Sequence, residues 1–329
     1  MLATLCALLS PLGLCAQQPA PRPPAESHEE VGDDEVVRVD TDLVHVDVTV
    51  TDAAGNPVRN LGPADFKLYE DEVERPVSFF SVERRGGQTR PVAVVFAVDV
   101  SGSMSPEEMV RLGAAMREFA RRLEGQDAVF AVMSFGTDVK IKQALTSDAK
   151  KLERAVENLA RDVGGHSTHA YDAIDDAVRL LVRKAPRTRE RRLMKRAVVV
   201  VTDGFPVGDT VSPRTVIERA NAADVSVYTV TLPSFSRLLA SASERPPLPT
   251  PLDVSGVVEK TGGKAVYATD KDFAPLFKAL AEEVTSSYVL SFYPPEEKRR
   301  DGRTHTIRVE VPRGLNARQS RTSYKGERP

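Results

Sequence analysis

The chain has 329 residues, with 45 Lys and Arg against 47 Asp and Glu and a formal net charge of −2. So even a balance excludes nucleic-acid binding as the main task, because neutralising phosphates needs a concentrated basic face. The length allows one large domain plus a smaller one.

The opening stretch, MLATLCALLSPLGLCA, is uncharged, apolar and too short for a good membrane span. Residues 1–16 read as a secretory signal cut after Ala16, which makes the mature protein exported: periplasmic, cell-surface or secreted. Cys6 and Cys15 both fall in this stretch, so the mature chain has no disulfide and no thiolate ligand for zinc. Membrane contact is expected only if Cys15 is lipidated, and Leu14 before it makes a poor lipobox. Residues 17–35 are proline-rich, then acidic, with no apolar period. They cannot bury enough surface to offset their ordering entropy and read as a disordered tether.

Residues 36–88 are β-rich. Val44, Val46, Val48 and Val50 alternate with His45, Asp47 and Thr49, the period of a strand with one buried face. Asp52 to Pro57 is turn chemistry, and two shorter strands follow around Glu70 and Asp71. So few strands make a poor independent unit. Residues 286–325 supply candidates for the missing partners, SSYVLSFYP and THTIRVEVP. The expectation is one β-sandwich made from both chain ends, with separate small sheets as the alternative.

Residues 89–285 alternate strands with helices. Apolar runs without alternation lie at Val92–Val98, Ala128–Phe135, Ala197–Val201, Val225–Val230 and Ala265–Tyr267, as in a parallel sheet covered on both faces. Met109, Leu112, Met116, Phe119 and Leu123 step at helical spacing. So do Leu152, Val156 and Leu159, then Ile174, Val178 and Leu181, and finally Phe273, Phe277, Leu280 and Val284. The predicted class is α/β: a doubly wound, mainly parallel sheet with helices on both faces, plus the small sandwich. Ser234 to Pro251 breaks the rhythm and reads as a loop over one rim. Asp172, Asp175 and Asp176 read as a solvated helix face, and Asp138 and Asp209 as turn residues.

Ligands of such folds sit at the carboxyl ends of the strands, and three loops there carry oxygen. The first is Asp99-Val100-Ser101-Gly102-Ser103, closed by Ser105-Pro106-Glu107-Glu108, the sequence of a helix capping box. The second is GGHSTHAYDAI, with Thr168 near a helix start. The third is VVVTDGFP, with Asp203 just past a strand. Two carboxylates and three hydroxyls suit a hard cation such as Mg²⁺, which prefers oxygen ligands and retains waters.

Asp-x-Ser-x-Ser, the later Thr and Thr-Asp-Gly resemble the metal-ion-dependent adhesion site of von Willebrand factor type A (VWA) domains. That resemblance covers roughly Pro91 to Ser286. VDVTVTDAAGNPVRNLGPADFKLYEDEVERPVSFF and SYVLSFYP further resemble the exported VWFA-related proteins abundant in acidobacteria, a kinship that implies no reaction. The adhesion-site resemblance implies Mg²⁺ or Mn²⁺ contacted by Ser101, Ser103 and Thr168, with Asp99 and Asp203 acting mainly through water. A partner protein's Asp or Glu carboxylate would fill the open position. Met104, His166, His169 and Phe205 form the expected partner-binding rim; where the family often reads Gly-Gly-Thr, this chain departs from it with His166-Ser167-Thr168, followed by His169. It also implies that helix shifts can accompany binding, with the helix from Phe273 to Val284 as the mover.

The expected function is therefore non-catalytic binding of a protein partner, without a small-molecule cofactor. A phosphatase of the haloacid dehalogenase type would need Asp where Ser101 stands. A dinucleotide site needs a glycine-rich turn that DVSGSM lacks, and the serines have no convincing His and acid partners for a triad. Metal-assisted hydrolysis at the same site, with Asp203 as its base, is one alternative. A structural envelope protein with a stabilising metal is the other.

Overall fold

The computed structural model describes residues 43–82, 90–102, 105–124, 127–159, 161, 165, 167–189, 192–232, 249–268, 273–285 and 288–327. The readings of residues 1–16 and 17–35 lie outside these, as do most of the Ser/Pro-rich stretch and Ser103, Met104 and His166.

The chain begins with β1 (Val44–Thr51), β2 (Lys67–Glu70), β3 (Val73–Arg75) and β4 (Phe79–Val82). The α/β part runs β5 (Val92–Asp99), α1 (Pro106–Arg122), β6 (Ala128–Phe135), β7 (Val139–Thr146), α2 (Ala149–Leu159) and α3 (Ala170–Lys184). It continues through β8 (Thr188–Arg189), β9 (Arg192–Leu193), β10 (Lys195–Thr202), α4 (Pro213–Ala222) and β11 (Val225–Thr231). Two short helices, α5 (Pro251–Val254) and α6 (Val257–Lys260), precede β12 (Ala265–Tyr267) and α7 (Ala274–Val284). The chain finishes with β13 (Tyr288–Phe292), α8 (Glu296–Arg299), β14 (Thr304–Glu310), β15 (Asn316–Gln319) and β16 (Ser323–Lys325).

Six strands form the central sheet in the order β12-β11-β10-β5-β6-β7. All neighbours are parallel except β6 and β7. Every residue of β5, β10 and β11 is buried, which is why their sequences carry no polar alternation. Alternate side chains feed two cores. Val94, Phe96 and Val98 pack with α1, α2 and α7, whereas Ala93, Val95 and Ala97 pack with α3 and α4. Phe96 meets Phe119 edge-on at 5.3 Å between ring centroids, and Phe119 meets Phe277 edge-on at 6.2 Å. Each such pair adds about 0.5–1.5 kcal/mol beyond its area burial. At the start of α1, Glu108 N donates to Ser105 Oγ (3.3 Å) and Ser105 N donates to Glu108 Oε2 (2.9 Å), closing the predicted capping box.

The two chain ends form two further four-stranded sheets, β15-β1-β13-β4 and β16-β14-β2-β3. Val46, Val48, Leu290 and Phe292 of the first share one apolar cluster with Leu68, Ile307 and Val309 of the second. β1 runs antiparallel to β13, Val44 opposite Phe292 and Val48 opposite Tyr288. β13 also pairs with β4, Tyr288 opposite Val82. Tyr288 packs against Phe66 and Phe80. Its hydroxyl donates to Val58 O (2.8 Å) and accepts from Leu61 N (3.2 Å), pinning the β1–β2 connection.

The sandwich meets the root of the α/β sheet through buried charge. Asp47 of β1 accepts from Lys195 Nζ at 2.9 Å and Arg90 Nη1 at 2.8 Å. Burial pushes the Asp47 carboxyl up, but Arg90 and Lys195 hold it well below the usual carboxylate range. Arg321, just before β16, reaches Asn221 O and the Asp224 carboxylate at the end of α4.

One sequence expectation is corrected here. Asp175 is not on a solvated face: it is 2% exposed and accepts from Arg179 Nε (2.8 Å) and Arg219 Nη1 (2.6 Å), joining α3 to α4. Asp176 does face solvent. Periodicity marks which residues are apolar, but it does not reveal that a distant arginine can bring a carboxylate inside.

Candidate functional site

β5 ends in Asp99, which is fully buried. Its Oδ1 accepts from Ser101 N (2.9 Å), turning the chain sharply after the strand. Its Oδ2 accepts from Thr202 Oγ1 (2.8 Å), and that hydroxyl accepts from Gly204 N (3.2 Å). One carboxylate thus ties the ends of β5 and β10, which are neighbours in the sheet. Burial pushes the Asp99 carboxyl up; hydrogen bonds from Ser101 and Thr202 oppose the rise, and the charge of Asp203 adds to it.

Thr168 stands just before α3 and is buried. Its Oγ1 donates to Ser101 Oγ at 3.2 Å, so the first and second loops meet at two hydroxyls. Its backbone pairs with Val207, Thr168 N to Val207 O at 3.2 Å and Val207 N to Thr168 O at 2.9 Å, which brings in the third loop. Asp203 is half-buried, and its Oδ1 accepts from Phe205 N (3.1 Å), a local turn that fixes the carboxylate's own backbone. Gly204 has φ +85°, and a Cβ there would lie 2.5 Å from Thr250 Oγ1, so this bend and close approach both require glycine. Thr250 in turn caps α5: its N donates to Asp253 Oδ2 at 2.7 Å, and Leu252 N donates to Gly204 O at 3.2 Å. The end of the Ser/Pro-rich stretch therefore backs the Asp203 loop.

Of the expected rim, Phe205 and His169 are half-buried. His169 Nδ1 lies 3.3 Å from Asp172 Oδ2. Asp172, expected on a solvated face, instead accepts from Thr210 and Val211 across the site (Val211 N to Oδ1, 2.8 Å). The sequence reading also passes over Thr202 and Val207 and takes Asp209 for a turn residue alone. Thr202 sits next to Asp203 and was within reach of the motif. The roles of Val207 and Asp209 depend on contacts between distant loops and leave no local signal.

Among the described residues, no group of three or more His, Cys, Asp or Glu side chains is placed to hold a metal ion. The convergent donors are hydroxyls and carboxylates: Ser101, Thr168, Asp99 and Asp203. Among the described residues neither Asp99 nor Asp203 has an ion-pair partner. A buried carboxylate without a countercharge is costly, and an all-oxygen set with surplus negative charge is what a hard divalent cation takes. The residues present fit such an ion.

Residues 93–245 match the family described as von Willebrand factor type A domain. The match covers less than half of the chain; the α/β core it falls on is VWA- and Rossmann-like in fold, with extra sheets built from strands at both ends. No curated protein matches the chain. Solved structures that resemble it include an aerotolerance-related membrane protein from Bacteroides fragilis, 17% identical with a TM-score of 0.42, covering 59% of this chain and 98% of that one. BatB from Bacteroides thetaiotaomicron is 17% identical, TM-score 0.41, with 59% and 97% covered. Proximal thread matrix protein 1 from the mussel byssus, with a zinc-occupied MIDAS motif, is 13% identical, TM-score 0.46, with 65% and 48% covered. No helix among the described residues is long and apolar enough to cross a membrane.

Proposed function

We propose that the protein is an exported, non-catalytic binding protein that recognises an Asp or Glu carboxylate of a protein partner through Mg²⁺ or Mn²⁺. The proposal includes the kinship with exported VWFA-related proteins and the assignment of Asp99, Ser101, Ser103, Thr168 and Asp203 to the metal. The observation that carries it is the meeting of Ser101 Oγ and Thr168 Oγ1 at 3.2 Å beside the buried Asp99 carboxylate.

When bound, the cation supplies a positive centre that a partner carboxylate can join. The chain's own residues do the rest. Ser101 and Thr168 offer neutral oxygens, so the site does not saturate a cation with negative charge and leaves attraction for an external anion. Asp99, held by Ser101 N and Thr202 Oγ1, keeps its oxygens fixed before any ligand arrives. Such preorganisation reduces the ordering cost of binding. The rim of Met104, His166, His169 and Phe205 selects among acidic partners by shape.

The test is a thermal melt of the mature protein in EDTA, then in Mg²⁺ or Mn²⁺, with Asp99→Ala alongside. An ion at 100 times its dissociation constant stabilises the native state by about 2.7 kcal/mol. At an unfolding entropy of ~2.1 cal/mol/K per residue, that is a rise of about 4–5 °C for a unit of this size. Wild type should show the rise and Asp99→Ala should not. Equal rises in both proteins would remove these residues from the metal.

A further inference from the structure

Two aspartates outside the ligand set link the second and third loops. Asp172 lies one helical turn after Thr168, and its Oδ1 accepts three bonds from the far loop: Thr210 N (3.0 Å), Thr210 Oγ1 (3.0 Å) and Val211 N (2.8 Å). Its Oδ2 accepts from Thr210 N at 3.1 Å and faces His169 Nδ1 at 3.3 Å. In return, Asp209 Oδ1 accepts from Asp172 N at 2.9 Å. His169, the residue at the N-cap of α3, makes no side-chain cap of its own, so Asp209 satisfies that helix end from another loop. The exchange is reciprocal: each aspartate satisfies backbone donors of the other's loop. Gly208 completes the fit, since a Cβ there would lie 2.6 Å from His169 Nε2.

We infer that Asp172 and Asp209 are positioning residues that clasp the Thr168 loop to the Asp203 loop and thereby set the spacing of the metal's oxygen donors. The inference rests on the metal-site reading above. The clasp closes on the stretch that starts at Val207, four residues past Asp203, and Val207 is itself paired to Thr168. Its bonds therefore span two of the three loops that carry the proposed oxygen donors. With the clasp open, Thr168 would still precede α3 and Asp203 would still follow β10, with the Thr168–Val207 backbone pair left between the two loops among the described residues.

The experiment measures Mn²⁺ affinity by titration calorimetry, and the melting temperature in EDTA, for wild type, Asp172→Ala, Asp172→Asn, Asp209→Ala and Asp99→Ala. Removing partners that orient metal ligands typically costs 10–100-fold in affinity. Asp172→Ala should weaken Mn²⁺ binding about tenfold or more. Asp172→Asn should recover most of it, because the amide oxygen can still accept the bonds now made to Oδ1. Asp209→Ala should weaken binding in the same direction and carries the test if Asp172→Ala does not fold. A drop in EDTA melting temperature with Mn²⁺ affinity within twofold of wild type would make the clasp merely structural and overturn the inference. Wild type indistinguishable from Asp99→Ala would instead overturn the metal-site reading and the clasp with it.

Discussion

Asp47→Ala probes the joint between the sandwich and the α/β core. The substitution removes the carboxylate that Lys195 and Arg90 share and leaves the Lys195 ammonium, 4% exposed, with the like charge of Arg90 near it and Ser226 Oγ at 3.4 Å as its remaining hydrogen-bond partner among the described residues. Breaking a buried pair by deleting one partner costs about 3–5 kcal/mol, because the other charge stays desolvated. With a urea m-value of about 3 kcal/mol/M, that moves the unfolding midpoint down by roughly 1–1.7 M. The chain has no Trp, so far-UV circular dichroism is the probe. Adding Lys195→Met to Asp47→Ala should restore much of the loss, since a buried pair replaced by apolar side chains is often neutral. The pH dependence has a fixed sign. The folded carboxyl titrates below its unfolded value of about 3.9, so its contribution is complete above that value and is lost as pH falls through it toward the folded one. The acid limb of the stability curve should therefore flatten in Asp47→Ala. A loss under about 1 kcal/mol, or no recovery in the double variant, would refute the account of this joint.

His305 in β14 gives a second pH effect of opposite sign. Burial pushes the imidazole down, but hydrogen bonds and charge from Asp71 (Nδ1 to Oδ2, 2.8 Å) and Asp301 (Nε2 to Oδ2, 3.1 Å) raise it above its ordinary value. The ring also stacks on Tyr324, and Lys298 shares Asp71. The stability it adds is complete below about pH 6.5 and is lost as pH rises through the folded value; His305→Gln should abolish that part of the urea-midpoint profile, and an unchanged profile would refute it. Deleting the chain after residue 286 removes β13, the strand between β1 and β4, and should strip hydrogen-exchange protection from Val46 and Val48. Retained protection there would mean that the N-terminal strands fold without the C-terminal ones.

The strands of the α/β core were legible because each is apolar throughout, and α1 because Ser105, Pro106 and Glu108 state where it begins. β7 was not: its side chains are mixed in burial, since it closes the sheet at an edge. α4 has few apolar residues and leaves only Val216, Ala220 and Asn221 buried, too few for a visible stripe. The pairing of the chain ends could be expected because four short strands near Val44 to Val82 cannot stand alone. Register could not, as nothing local places Val48 opposite Tyr288. At the site, Asp99, Ser101 and Thr168 were readable as oxygens at strand and helix ends. The aspartates that hold the loops to one another were not, because a carboxylate three residues into a helix, as Asp172 is, or in turn-like sequence, as Asp209 is, looks the same whether it meets water or a backbone amide from another loop.

The register of β1 against β13 has a mechanical consequence. The chain leaves for the α/β domain from Val82 and returns at Tyr288, two residues paired across one ladder, so tension on that domain is divided between two covalent leads. Val48 lies beside Tyr288, whereas Val44 lies at the far end, opposite Phe292. A pull that enters through residue 43 and is resisted at the α/β domain therefore draws β1 and β13 lengthwise past each other. The ladder bonds run across the strands and are all loaded at once rather than opened one by one. A ligand tugging on the strand-end face would thus strain this ladder in shear, the direction in which a short sheet holds best.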